Sequence, residues 1–264
     1  MARYRRVMTK HTTTPRGNIA WRTRNGEASG APIVFIHGAG GRKESWIFLS
    51  HVLAGLLPTR PLVMIDLPGH GESPPPGREI IDDYAQDVLA FLQAEGWSSV
   101  DLVGHSMGGV ISQCLAINSP TQFRRLALVA TGARLKVVPV LFDLLPNQPE
   151  LAFGAIRQFG FGQDAKPEIV EATIQLMLAG DPVVAYHDFK ACACWDGVDR
   201  LAHITAPTLV VAGDEDKLTP ARWNEALAAG ITGAKYVLLP RTGHMIPLER
   251  EQELAQLLAD HLGD

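Results

Sequence analysis

Residues 100–111, Val-Asp-Leu-Val-Gly-His-Ser-Met-Gly-Gly-Val-Ile, hold a serine where a nucleophile could work. Val100–Val103 is a short apolar run of the kind that forms a buried strand. Gly104, Ser106 and Gly108 then supply Gly-x-Ser-x-Gly, and the spacing from Ser106 onward predicts a helix. A serine at such a strand-to-helix turn sits in strained backbone with its hydroxyl raised above the sheet. Gly104 and Gly108 are small because neighbouring backbone must pass close by. The N–H of Met107, at the helix start, would point at a developing oxyanion.

A serine hydroxyl needs a base, and a histidine base needs an acid to hold its tautomer. His244 is the candidate base, in Arg-Thr-Gly-His-Met-Ile-Pro-Leu-Glu. It follows the apolar run Tyr236–Leu239 and precedes an amphipathic segment read as a final helix from Pro247 to Leu262. That is a loop at the carboxyl end of a strand, the usual address of chemistry in open α/β sheets. The acid is sought after Thr208–Ala212, where the chain reads Gly213-Asp214-Glu215-Asp216-Lys217-Leu218-Thr219-Pro220. Asp216, three residues past Gly213 in a tight turn, is preferred. Asp214, which could close the strand, and Glu215 stay open as alternatives. A second oxyanion donor is expected from Ala39 N–H in His37-Gly38-Ala39-Gly40-Gly41, acting with Met107 N–H. That glycine-rich turn lacks the Lys-Ser/Thr of a phosphate-binding loop.

His37 reads as a residue that fixes its turn by hydrogen bonds, and His105 as one that shapes the site. Asp66-Leu67-Pro68-Gly69-His70-Gly71-Glu72-Ser73 reads as a structural turn near the pocket. No spacing matches a metal site, so neither a metal nor a cofactor is expected.

Strand-like apolar runs recur at Ile33–Ile36, Leu62–Ile65, Val100–Val103, Leu126–Val129, Thr208–Ala212 and Tyr236–Leu239, with helical spacing between most of them, as at Ile80–Ala94. This alternation predicts an α/β protein with a mainly parallel sheet covered on both faces. Tyr4–Met8 and Asn18–Arg22 read as more polar strands on an antiparallel edge. Arg3, Arg5, Arg6, Lys10, Arg16, Arg22 and Arg24 are taken as their solvent-facing positions, where charge discourages edge pairing. Between Thr131 and Arg200 the rhythm breaks. Pro149, Pro167 and Asp181-Pro182 mark helix starts, and short helices here would form a lid rather than continue the sheet.

A chain of 264 residues, 46% hydrophobic and 20% charged, can bury a sizeable core. Its net charge of −4 gives no reason to expect a nucleic-acid partner. Three cysteines, Cys114, Cys192 and Cys194, carry no disulfide framework and fit a reducing compartment. With no apolar leader and no spanning run, a cytoplasmic protein without membrane insertion is expected.

Taken together, the segments His37–Gly41, Asp66–Ser73, Gly104–Gly109, Gly213–Asp216 and Gly243-His244 resemble the α/β-hydrolase superfamily, on its serine esterase and haloperoxidase-like branch. The resemblance implies an eight-stranded, mostly parallel sheet flanked by helices, with the second strand antiparallel. It also implies a helical lid inserted after strand six, giving a core from 1–132 and 201–264 and a lid from 133–200. Ser106, Asp216 and His244 would be catalytic, with Ala39 and Met107 in the oxyanion hole. The implied activity is hydrolysis of small to medium, partly hydrophobic carboxylic esters through an acyl-enzyme. The partner would then be a small-molecule ester. Ser106 argues against the dehalogenases and epoxide hydrolases of this fold, which use aspartate. Two alternatives are a carbon–carbon bond hydrolase of ring-fission-type diketones and a ligand-binding receptor with little turnover. The first often carries proline after the loop glycines, where this chain reads Gly-Ala-Gly-Gly-Arg-Lys.

Overall fold

The computed structural model describes residues 8–263. Strands β1 (Lys10–Thr14), β2 (Gly17–Arg24), β3 (Ile33–Ile36), β4 (Leu62–Ile65), β5 (Val100–His105), β6 (Phe123–Val129), β7 (Thr208–Gly213) and β8 (Lys235–Leu239) form one sheet. Their spatial order is β1-β2-β4-β3-β5-β6-β7-β8. β2 is antiparallel to both β1 and β4, and every other neighbouring pair is parallel. From β3 the chain steps to β4 on one side, then returns to place β5 on the other. The carboxyl ends of β3 and β5 therefore flank a topological switch point, where open α/β sheets leave a crevice.

The apolar runs serve both faces, because successive side chains of a strand point to opposite sides. Val34 and Ile36 of β3 and Val63 and Ile65 of β4 join one core cluster, with helices α2 (Ile81–Ala94) and α3 (Met107–Asn118). Ile33 and Phe35 join the opposite cluster with Leu62 and Met64, against α1 (Ile47–Leu56) and a C-terminal helix over Glu251–Leu262. The edge strands β1 and β8 are more exposed than the fully buried β3, β4, β5 and β7.

The first strand differs from the sequence expectation. Residues 4–7 of the expected strand Tyr4–Met8, with Arg3, Arg5 and Arg6, lie outside the described residues, and Met8 lies outside any strand. The observed strand is Lys10–Thr14, pinned by Trp21 on β2. Trp21 is buried, pairs with Lys10 in the register and donates from Nε1 to Thr12 Oγ1 at 2.8 Å. The described basic residues are also not a bare charged edge. Arg16 pairs with Asp87 at 2.7 Å and Arg22 with Glu44 at 2.7 Å, tying this end of the sheet to α2 and to the short 3₁₀ helix Lys43–Trp46 before α1.

Four helices separate β6 from β7: α4 (Val140–Asn147), α5 (Pro149–Phe159), α6 (Pro167–Leu178) and α7 (Pro182–Cys194). Three open on proline, whose missing N–H costs nothing at a helix start. Asp181 caps α7 by accepting from Val183 N at 2.8 Å. Leu145, Phe153, Ile156, Ile174 and Met177 give these helices a core of their own. Among the described residues no single helix is long and apolar enough to cross a membrane; α6 and α7 together pass by length and composition but are bent by 100°.

After β7 come α8 (Ala221–Gly230) and β8, and then a second departure from expectation. The segment read as one helix from Pro247 to Leu262 is two, α9 (Ile246–Glu249) and α10 (Glu251–Leu262). Arg250 between them is non-helical, with φ −136° and ψ 48°. The Glu249 carboxylate turns back to accept from Gly162 N, Gly243 N and Met245 N, and this fixes the break.

Candidate active site

Ser106 joins β5 to α3 with φ 53° and ψ −117°, a conformation that is strained for any residue with a side chain. Neighbouring backbone holds it there. A Cβ on Gly108 would stand 2.1 Å from Ile36 O, and one on Gly104 would stand 2.2 Å from Gly108 O. Only glycine lets β3, β5 and α3 approach so closely. Ser106 N donates to Val129 O at 2.9 Å, and Thr131 Oγ1 donates to Ser106 O at 2.8 Å, locking the turn to β6.

His244, on the loop after β8, opens on the same cavity as Ser106. Its Nδ1 lies 2.9 Å from Asp216 Oδ2, both side chains being almost fully buried. With Nδ1 donating to a carboxylate, Nε2 is the nitrogen left for proton transfer. Asp216 accepts as well from Leu218 N and Thr219 N at 2.8 Å and from Thr219 Oγ1 at 2.7 Å. Burial pushes the Asp216 carboxyl up, but the facing His244 and these hydrogen bonds outweigh it and hold the group below its ordinary value. Of the three neighbouring acids, Asp216 is the one brought to His244. Asp214 accepts from Thr242 N, and Glu215 accepts from Gln163.

The His105 ring lies tilted against the His244 ring, centroids 4.8 Å apart, and donates from Nε2 to His244 O at 2.8 Å. Burial holds its pKa at about 3, so it is a neutral brace.

The loop after β3 lies against the serine turn. A Cβ on Gly38 would meet Ser106 Cβ at 3.1 Å. Gly41 N donates to Gly38 O at 3.0 Å and Gly40 N to Asp188 Oδ2 at 2.8 Å, while Ala39 N takes no part in these bonds. Ala39 lines the cavity; the Met107 side chain is buried in the core, and its N–H stands at the start of α3. His37 Nε2 accepts from Leu67 N at 3.1 Å, so Nδ1 carries the proton and donates to Gly38 O at 2.8 Å. Burial and the nearby His70 hold its pKa at about 3. In the Asp66–Ser73 turn, Asp66 is ion-paired with Lys43, and Ser73 Oγ donates to Asp66 O at 2.8 Å.

The cavity encloses about 800 Å³. It is lined by Gly38, Ala39, Ser106 and His244 and by apolar side chains of α4, α5 and α6, among them Leu141, Leu144, Ile156 and Met177. Among the described residues no group of three or more His, Cys, Asp or Glu side chains could hold a metal ion.

The model of the alpha/beta hydrolase family matches residues 33–257, which takes in the serine turn, the Asp216 turn and the His244 loop. The chain belongs to the alpha/beta hydrolase family. Within the family it is 30% identical over 258 residues to lipase LipV of Mycobacterium tuberculosis, covering 91% of this chain and 96% of the lipase. It is 28% identical to 2-hydroxymuconate semialdehyde hydrolase of a Pseudomonas strain, covering 89% and 88%. A third relative is the dihydrolipoyllysine-residue acetyltransferase component of the acetoin cleaving system of Pseudomonas putida, 29% identical over 90% of this chain. The chain spans only 65% of that protein's length, and 63% of its counterpart from Cupriavidus necator. The enol-lactonase of Burkholderia xenovorans shares the fold, with a TM-score of 0.88 and 23% identity over 97% of this chain and all of that one, 100%.

Three residues of the site region are not singled out by motif. Thr219 bridges Asp216 and His244, its Oγ1 donating to Asp216 Oδ2 and lying 3.2 Å from His244 Nδ1. Glu249 gathers three loop N–H groups around His244. Asp188 of α7 reaches the loop after β3. Its signal is a lone acid in an otherwise apolar buried stripe, Val184, Ala185, Asp188, Ala191 and Cys192. Such a stripe predicts a buried carboxylate that must find donors.

Proposed function

We propose that this alpha/beta hydrolase is a serine hydrolase that cleaves carboxylic esters through an acyl-enzyme on Ser106. The observation that carries the reading is a strained Ser106 sharing an apolar cavity with a His244–Asp216 pair. His244 Nε2 takes the hydroxyl proton as Ser106 Oγ attacks the ester carbonyl carbon. The carbonyl oxygen becomes an oxyanion held by Ala39 N–H and Met107 N–H. Asp216 fixes the His244 tautomer and balances the imidazolium that forms. The tetrahedral adduct collapses, His244 gives its proton to the leaving alcohol, and the acyl group stays on Ser106. A water then loses a proton to His244, attacks the acyl carbon and releases the acid with Ser106 restored.

Residues 133–200 act in this reading as a lid over a core formed by 1–132 and 201–264. Their apolar walls suit small to medium, partly hydrophobic acyl groups. Similarity to 2-hydroxymuconate semialdehyde hydrolase supports a second reading, cleavage of a carbon–carbon bond by the same residues. The oxyanion-side loop, Gly-Ala-Gly-Gly-Arg-Lys without a proline, favours esters.

Turnover of p-nitrophenyl esters of increasing acyl length tests the proposal. The expected result is hydrolysis with a chain-length optimum, and a loss of about 10⁴–10⁶ in kcat in Ser106→Ala. A folded protein that hydrolyses none of the series but cleaves a ring-fission diketone would establish the second reading instead.

A further inference from the structure

We propose that Asp188, paired with His70, is a positioning residue that aims the Ala39 N–H at the reacting carbonyl and thereby ties the inserted helices to the chemistry at Ser106. The inference rests on the serine-hydrolase reading and adds a residue to it.

Asp188 is fully buried on α7. An ionised carboxylate in that position is strongly unfavourable unless it is paired and hydrogen-bonded. Three donors from three separate segments converge on it. Gly40 N of the loop after β3 donates to Oδ2 at 2.8 Å, His70 Nε2 of the turn after β4 lies 2.7 Å from the same oxygen, and Tyr84 Oη of α2 donates to Oδ1 at 2.5 Å.

The charge state of His70 follows from its partners. Nε2 faces the Asp188 carboxylate and Nδ1 faces Pro68 O at 3.1 Å. Both partners only accept, so both nitrogens must donate and the ring is an imidazolium. Burial opposes that charge, but the Asp188 charge and hydrogen bond outweigh it and raise the His70 pKa above its ordinary value. None of the other groups facing the pair reverses this balance, and the Asp66 charge adds to the rise. His37, with its ring 4.8 Å away, is neutral; Asp66 is ion-paired with Lys43; Arg42 acts on His37; and burial beside Asp188 keeps the Cys192 thiol protonated.

The mechanical consequence concerns two adjacent peptide units, Gly38–Ala39, which carries the Ala39 N–H, and Ala39–Gly40, which carries the Gly40 N–H held by Asp188. Gly40 has φ +63°, and its N–H belongs to the peptide that follows Ala39. One end of the turn is set by Gly38 against Ser106 and the other by Gly40 on Asp188, so the direction of Ala39 N–H is fixed between them. As pH rises through the raised His70 pKa, the imidazolium is lost, the carboxylate loses its counter-charge and the turn loosens.

The test measures kcat and KM across pH on the full chain with the best ester of the series. Asp188→Asn is expected to lower kcat about 10–100-fold, short of the roughly 10²–10³ lost when an oxyanion donor is deleted outright. KM should change less than about threefold, because the loss lies in the transition state. The wild type should show an alkaline fall in kcat that Asp188→Asn lacks. His70→Gln, which keeps a donor toward Asp188 but no charge, should abolish the same fall. It reads the pair even if the α7 variant does not fold. Wild-type kcat in Asp188→Asn, or an alkaline limb unchanged in His70→Gln, would overturn the proposal. Ser106→Ala separates the two failures. Activity that depends on Ser106 yet ignores Asp188 and His70 sinks the positioning role alone. Activity surviving Ser106→Ala sinks the serine reading and this inference with it.

Discussion

At Asp216 one carboxylate does two jobs, accepting four hydrogen bonds from its own turn and from His244. Asp216→Asn keeps the shape but presents an amide to the imidazole, so His244 loses its tautomer lock. kcat should fall by about 10⁴. Asp214→Asn, whose carboxylate accepts from the Thr242 backbone and not from His244, should cost less than about threefold. The reverse ranking in steady-state kinetics would remove Asp216 from the site. Thr219→Val deletes one hydroxyl donor to Asp216 while keeping the volume. The expected loss in kcat is about tenfold, the worth of one hydrogen bond to a charged group, read at saturating ester.

The element that makes Ser106 possible is the β5–α3 turn, where backbone passes backbone with no room for a methyl group. Gly108→Ala would drive a Cβ to 2.1 Å from Ile36 O. It should destabilise the fold by more than about 4 kcal/mol, measured by urea unfolding. Full stability in that variant would contradict the close approach of β3 and α3. This turn was legible in the chain because strand, Gly-x-Ser-x-Gly and helix are contiguous, so local sequence carries all of the geometry. The loop positions of Ala39 and His244 were legible for the same reason, each following an apolar run. Asp188 was not, because its donors lie on three segments far away in sequence, and helical spacing marks a buried acid without saying what meets it. The break at Arg250 was hidden similarly, since helix spacing continues across it and only the reach of Glu249 to Gly162 and Gly243 ends α9. The first strand was misplaced because a polar edge strand has little apolar pattern, and its register is set by Trp21 across the hairpin.

Across the whole molecule, buried histidines set the response to acid. His37 and His105 have pKa values held at about 3, against an ordinary 6.5. The unfolded chain therefore binds protons that the folded chain refuses between those limits, and stability falls as pH drops below about 6.5. Each histidine opposes folding by on the order of 3 kcal/mol near pH 4. Asp216 acts in the same direction. Its lowered pKa gives stability that is present above the ordinary carboxylate range and lost as pH falls through the folded value. The urea midpoint should decline steadily from about pH 6.5 to pH 4, and His105→Gln should flatten that decline. A midpoint unchanged over this range would show that these rings accept protons without unfolding.

A nucleophilic Ser106 should react covalently with a fluorophosphonate ester, which traps an activated serine. Intact-mass and peptide analysis should find one adduct per chain, on the peptide containing Ser106. The adduct should be absent in Ser106→Ala and slow to form in Asp216→Asn. Ester hydrolysis without any adduct, or an adduct on another residue, would rule out Ser106 as the nucleophile.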